Sequence, residues 1–354
     1  MRIAVDCRYV RVDHHDGISR YTAGLVAALA GLHPVTMIIS DPRQLGMLPD
    51  LPSFRVSGPT SVREPLVARQ VNRLAPDVVF SPMQTMGTWG RRYGLVLTLH
   101  DLIYYRHATP PRDLPAPIRL LWRLYHLAWW PQRVLLDRAD AVVTVSGTTA
   151  GLIADHRLTR RPVTVVPNAA DPLPATPAAP GRRLVYMGSF MPYKNVDVLV
   201  RAAAALPGHE LHLMSRVAPA ERARLEALAP SARLVFHDGA SDAEYAAALR
   251  GATALVSASR DEGFGIPLVE AMGVGTPVVV SDIPVFREVG ADAGAYVDPD
   301  DVDGFVAAVR ALDDPAVRAA RGEAALRRAE HYSWAASART LLDLLERVAT
   351  QRRP

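Results

Sequence analysis

Short, mainly apolar runs alternate with longer stretches of helical spacing along most of the chain. Residues 2–6, 35–39, 54–56, 78–80, 95–99, 141–146 and 163–166 read as buried strands, each too short for a helix. A second series stands at 184–187, 211–214, 234–236, 254–258, 278–280 and 294–297. Between many of these runs, as at 17–30 and 196–205, apolar positions recur three and four residues apart, the spacing of a helix with one buried face. Alternating strands and helices predict an α/β chain with parallel, doubly wound sheets. From Val302 the pattern is helical to the end, with a break near Ser333 and Trp334.

The two series are separated by residues 172–181, rich in proline and alanine, which is linker composition. At 354 residues the chain is long enough for two hydrophobic cores. The predicted division is a first domain over 1–170, a linker over 171–181, a second domain over 182–332 and a final helical segment over 333–354.

Candidate chemistry concentrates where predicted strands end. After 254–258 come Asp261 and Glu262, then the turn Gly263-Phe264-Gly265. Pro267 suits a first helical position, and a helix over 267–272 ends in Gly273 and Gly275. Such a loop lies at the carboxyl edge of a parallel sheet, where open α/β sheets bind ligands. Glycines allow backbone N–H groups to approach a ligand, and the helix start favours an anion. Glu262 and Glu270 stand eight positions apart. Carboxylates only accept hydrogen bonds, so they suit sugar and ribose hydroxyls and repel phosphate. A tight loop with one capping acid and one solvated acid would have the same composition. Lys194 opens a helix after the strand 184–187 and Gly188, a position that suits a phosphate or a solvated lysine equally. His100 and Asp101 follow the strand 95–99, either at the ligand edge or bonded to backbone.

The stretch from Asp261 to Val280 resembles the retaining nucleotide-sugar glycosyltransferases of family 4, whose pattern is E-G-F-G-[IL]-P-x-[VL]-E-A-M-x-x-G-x-P-V. That resemblance implies a GT-B fold, two Rossmann-like doubly wound domains facing across a cleft, with the donor on the second and the acceptor on the first. It implies that Glu262 orients the sugar, that Glu270 holds ribose hydroxyls, and that Gly263, Phe264, Gly265 and Ile266 line the donor. It further implies that Lys194 grips the donor diphosphate, with Ser189 where many members carry an arginine. Arg216 becomes a candidate phosphate contact and His100 a residue beside the transferred sugar. The Gly17-Ile18-Ser19-Arg20-Tyr21 turn resembles the family's glycine-rich turn. Ser19 replaces its second glycine and leaves Gly17 as the diphosphate contact. Pro167-Asn168-Ala169-Ala170-Asp171 resembles the turn that closes the first domain, and the last helix is implied to cross back to that domain.

Charge narrows the partners. Forty basic against thirty-six acidic residues give a net charge of +4, from arginine almost entirely. That suits anionic small ligands or an anionic membrane surface better than a nucleic acid. Residues 112–138 are basic and aromatic; Arg119, Arg123 and His126 share one helical stripe, with Ile118, Leu121, Leu124, Tyr125 and Leu127 over much of the rest. Either a membrane-surface helix or an ordinary packed helix with arginines reaching out would look so. One cysteine, Cys7, excludes a disulfide framework and points to a reducing, cytoplasmic compartment, at the inner face of the membrane if the acceptor is lipid-borne. Asp13, His14, His15 and Asp16 read as a mobile polar loop over 8–19 rather than a metal cluster. Asp300 and Asp301 read as a helix cap rather than a metal-binding pair.

The expected function is metal-independent, retaining transfer of a hexose, mannose foremost, from a nucleoside-diphosphate sugar to a saccharide or glycolipid hydroxyl, with no cofactor. Two rivals stand beside it: a nucleotide-sugar epimerase of the same fold, and a non-catalytic sugar-nucleotide binder.

Overall fold

A computed structural model describes residues 1–109, 116–174 and 181–351. Two compact units form: Met1–Ala169 with Ser333–Pro354, and Ala170–Tyr332. Among the described residues each unit is built on one parallel sheet. In the first, the strands are β1 Ile3–Asp6, β2 Val35–Ile39, β3 Ser53–Arg55, β4 Val78–Ser81, β5 Gly94–Leu99, β6 Ala141–Thr144 and β7 Val163–Val165, ordered β3-β2-β1-β4-β5-β6-β7. In the second, β8 Arg183–Tyr186, β9 Glu210–Leu213, β10 Leu234–Phe236, β11 Ala254–Ser257, β12 Val278–Ser281 and β13 Gly294–Val297 are ordered β10-β9-β8-β11-β12-β13. Central strands such as β4 and β5 are buried at every position, which is why they read as unbroken apolar runs. This is the GT-B architecture of two Rossmann-like units.

Each sheet reverses its direction of winding once, between β1 and β4 in the first unit and between β8 and β11 in the second. Crevices at such reversals are the usual ligand positions of open α/β sheets. In the first unit the reversal is closed by Arg8. Its guanidinium pairs with Asp6 at 2.8 Å and with Glu64 at 2.6 Å and is almost wholly buried. The expected mobile polar loop over 8–19 is therefore corrected at its start. The buried amide of Gln44 donates to the carbonyls of Cys7, Arg8 and Val10 and fixes that segment.

The last helix, Trp334–Gln351, belongs to the first unit. Trp334 lies over Gly24, where any side chain would collide with the indole, and Ser337 Oγ donates to Pro167 O at 2.8 Å. The continuous helical run expected from Val302 is divided once more, into Val302–Ala311 and Pro315–Ala329. Asp314 caps the second of these by accepting from Ala316 N, and Pro315 cannot extend the first. Residues 175–180 of the expected linker lie outside the described residues.

Candidate functional site

Lys194 follows β8 and Glu262 follows β11, the two strands that flank the reversal of the second sheet. Their side chains meet there: Lys194 Nζ lies 2.5 Å from Glu262 Oε1, with both side chains about 15% exposed. The approach to Lys194 is built by a short 3-10 turn, Pro192–Lys194, which ends in Asn195 at φ 52° and ψ 38°. Asparagine tolerates this left-handed conformation better than most residues. Asn195 precedes the helix Val196–Ala204 but does not cap it. Its amide instead donates to Pro299 O at 2.6 Å and to Asp300 Oδ1 at 3.2 Å. Arg260 completes the tie. Its backbone N donates to Tyr193 O at 2.8 Å and its guanidinium pairs with Asp300. The loops after β8, β11 and β13 are thus bound together around the Lys194–Glu262 pair. Asp301, and not Asp300, caps the following helix by accepting from Gly304 N.

The glycine loop after β11 leads into the helix Ile266–Gly273, one residue earlier than expected, with Pro267 in its second position and Gly273 inside it. Gly265 takes φ 98°, and a Cβ there would stand 2.8 Å from the Phe286 ring. Both the conformation and the space require glycine. Phe264 is buried edge-on against Tyr332, so its side chain is a strut and only its backbone can meet a ligand. Glu270, in the second turn of the helix, is 4% exposed. Glutamate is rarely buried so completely without a partner. Ser189 is exposed, and its carbonyl accepts from Tyr186 Oη at 2.6 Å. Arg216 is exposed beyond β9, laid over Gly239, one strand further from β11 than Lys194 is.

Gly17 and His100 belong to the first unit. Gly17 opens the helix Gly17–Ala30, but Asp16 already caps it, accepting from Ser19 N at 2.8 Å. Burial would raise the Asp16 pKa, yet bonds from Ser19 and Arg11 hold it below the usual carboxylate value. A fixed negative charge therefore stands beside Gly17 and opposes a second anion there. Ser19 Oγ, in the place of the expected glycine, accepts from Arg11 N. His100 Nε2 lies 2.7 Å from Pro82 O. A carbonyl only accepts, so Nε2 carries the proton and Nδ1 of the neutral ring is an acceptor. Burial lowers the His100 pKa, against smaller opposing effects of the Pro82 carbonyl and the Asp16 charge. Asp101, adjacent to it, accepts from Ile103 N at 3.0 Å and shapes the turn after β5.

Two family descriptions match this chain: "Glycosyltransferase Family 4" over residues 15–172 and "Glycosyl transferases group 1" over residues 176–328. The chain belongs to these glycosyltransferases. Among similar proteins, the phosphatidyl-myo-inositol mannosyltransferase of Mycolicibacterium smegmatis is 34% identical over 48% of this chain and 46% of its own length. The O-antigen chain mannosyltransferase RfbU of Salmonella typhimurium is 53% identical over 18% of each chain. The MMP alpha-(1->4)-mannosyltransferase of Mycolicibacterium hassiacum is 29% identical over 72% of this chain and 66% of its own. The chain thus matches less than two thirds of the length of each. Among solved structures, sucrose-phosphate synthase from Thermosynechococcus elongatus gives a TM-score of 0.77 at 21% identity over 99% of both chains. Anabaena Alr3699/HepE in complex with UDP and glucose gives 0.72 at 16% identity over 98% of this chain and 99% of that one. These likenesses establish the fold.

Within this family member, sequence reasoning missed the Asn195–Arg260–Asp300 tie. Asp300 stands next to a cap and was legible only as part of it. One signal was present and unused: Lys194 is the one lysine in the sequence, and every other Lys or Arg position is arginine. A chain that takes arginine everywhere else has at this position a compact ammonium with three rotatable donors.

Proposed function

We propose that the protein transfers a hexosyl group, mannose foremost, from a nucleoside-diphosphate sugar to a hydroxyl of a saccharide or glycolipid, with retention of configuration. The observation that carries this reading is the Lys194–Glu262 pair at the reversal of the second sheet. An ammonium and a carboxylate held together there offer the two chemistries that a sugar diphosphate needs. Lys194 would turn its protons to the phosphates, and Glu262, an acceptor only, would bond sugar hydroxyls. The start of the Ile266–Gly273 helix would add backbone amides, and Glu270 would hold the ribose. Charge that develops on the leaving diphosphate would meet fixed dipoles and a fixed cation, a form of electrostatic stabilisation.

In the reaction, the bond from the sugar's anomeric carbon to the phosphate oxygen breaks. A bond to the acceptor oxygen forms on the same face, and the acceptor proton leaves on the departing phosphate. His100 would accept a bond from a sugar hydroxyl through Nδ1, while the fixed Asp16 charge argues against the diphosphate contact expected of Gly17. The mannosyl assignment is favoured by the mannosyltransferases among the similar proteins.

The sole lysine gives a direct test. Amine-reactive reagent can label only Lys194 and the α-amine, so peptide mapping reads each apart. The nucleotide sugar that raises thermal stability in a panel of donors should protect Lys194 and leave the α-amine unprotected. Labelling of Lys194 that no donor reduces would remove the basis of the reading. Turnover that yields an altered donor sugar and no transferred one would favour the epimerase.

A further inference from the structure

The segment between β5 and β6 forms two helices, Ala116–His126 and Trp130–Leu136. Residues 110–115 lie outside the described residues, as do the side chains of Ile118 and Leu121, both expected on this helix. The first helix does not turn Leu120 and Leu124 toward the unit. Its inner face is aromatic: Trp122 and His126 pack on Tyr104, with ring centroids at 5.1 and 6.0 Å. Beyond its end Trp129 is stacked between Tyr105 and His156. Tyr125 Oη donates to Gln132 Oε1 at 2.8 Å and links the two helices. Leucines occupy the outer face, with Leu120 60%, Leu124 55% and Leu127 77% exposed at helical spacings of four and three. Trp130 at 64% and Val134 at 44% continue the exposed face on the second helix.

Contiguous exposed apolar side chains on a folded surface mark an interaction site. The charges beside them select its partner. Arg119 and Arg123 lie along the leucine stripe and Arg133 beside Trp130, while residues 114–136 contain no aspartate or glutamate. A second copy seated face to face would set these arginines against their own equivalents. An anionic bilayer has the complementary charge, an apolar interior for the leucines and an interfacial level for Trp130. Among the described residues no helix is long and apolar enough to cross a membrane, so the face would lie on the surface.

We propose that this face docks the protein on an anionic lipid surface and so brings it to an acceptor carried on lipid. The docking face and His100 share one segment, since Tyr104 and Tyr105, which anchor the helices, follow His100 by four and five residues. The choice of acceptor rests on the transfer reading above; the docking itself does not.

The test is flotation of the full chain with phosphatidylcholine vesicles, pure or with about a quarter phosphatidylglycerol. The unmodified protein should bind the anionic vesicles and lose binding as salt rises. Arg119→Ser with Arg123→Ser should weaken binding about thirtyfold, since each basic residue near such a surface contributes about a fivefold factor. Leu127→Asn should weaken it about tenfold through lost apolar burial. All variants should keep the donor-induced thermal shift, which shows that they remain folded. The proposal is overturned if the protein ignores anionic vesicles, binds neutral ones as well, binds undiminished in both variants, or forms a dimer that Leu127→Asn dissolves. Vesicle binding without transfer to any acceptor would instead count against the proposed function and leave docking intact.

Discussion

Lys194 Nζ and Glu262 Oε1, 68 positions apart in sequence, close to 2.5 Å across the reversal of the second sheet. The pair is neutral as a unit and mostly shielded from water, so each member lowers the other's pull on a ligand. Removing either should then have opposite effects on nucleotide binding. Lys194→Ala should weaken nucleoside diphosphate binding and reduce turnover about a hundred- to a thousandfold, the usual effect of losing one stabilising donor. Glu262→Gln should reduce transfer as well, yet bind nucleoside diphosphate as tightly as before or more tightly, because the ammonium is released. Calorimetry with the nucleotide beside turnover measurements separates the two. Equal weakening of nucleotide binding in both variants would contradict the division of labour between cation and acid.

Asp300 acts on this pair at one remove. It accepts from Asn195 and pairs with Arg260, and so holds the turn that carries Lys194 and the loop that carries Glu262. The pair with Arg260 is partly exposed and contributes little to stability. Asp300→Ala should therefore leave Tm nearly unchanged while it lowers kcat about ten- to a hundredfold, the scale of a small misplacement of reacting groups. Asp300→Asn, which keeps an acceptor, should recover part of the loss. Chelator should have no effect on wild-type turnover. Restoration of the Ala variant by added divalent cations would instead make Asp300 a metal ligand.

Much of this was legible in the chain, for a physical reason. Strands of a parallel sheet are covered on both faces, so β4, β5 and β12 stand out as unbroken apolar runs, and the polar residues just after such runs fall on the ligand edge. Glu262, Gly265 and Lys194 were found that way. That Lys194 meets Glu262 was not legible, because it depends on β11 lying beside β8, and strand order is not written in local pattern. Nor was the facing of the Ala116–His126 helix. Its leucine and aromatic stripes are both apolar, and only the Tyr104 and Tyr105 rings decide which one turns inward. Arg8 read as the start of a polar loop because its partner Glu64 is 56 positions away.

The Arg8 network makes a stability prediction. Its five hydrogen bonds, two to Asp6, two to Glu64 and one to Ser57 O, match the five donors of a guanidinium, so nothing remains for a ligand. The role is structural. Arg8→Met would leave the fully buried Asp6 carboxylate without its cation, at a cost of about 3–5 kcal/mol. Chemical denaturation should show that loss, while the donor-induced thermal shift in any folded fraction persists, because Lys194, Glu262 and Glu270, the proposed contacts to diphosphate, sugar and ribose, lie in the second unit. A variant of unchanged stability would show that the network is dispensable.

His100 makes a prediction about pH. Its folded pKa lies below the ordinary value of 6.5, chiefly through burial. Below about pH 6.5 the unfolded chain takes up this proton before the folded one does, so folding stability falls as pH drops. The loss stops once pH is below the folded pKa; above about pH 7 the residue contributes no slope. His126, His209 and His212 are shifted the same way by burial, so the comparison must be between wild type and a variant at one position. His100→Gln keeps an N–H for Pro82 O and removes the titration. It should flatten the fall of stability between about pH 6.5 and 5. Transfer by wild type should fall as pH drops through the lowered folded pKa, because protonation at Nδ1 removes the lone pair offered to the sugar hydroxyl. The variant's activity, lower at neutral pH, should not share that fall. Parallel pH profiles for the two proteins would assign the acid limb to another group and leave His100 a structural bond to Pro82.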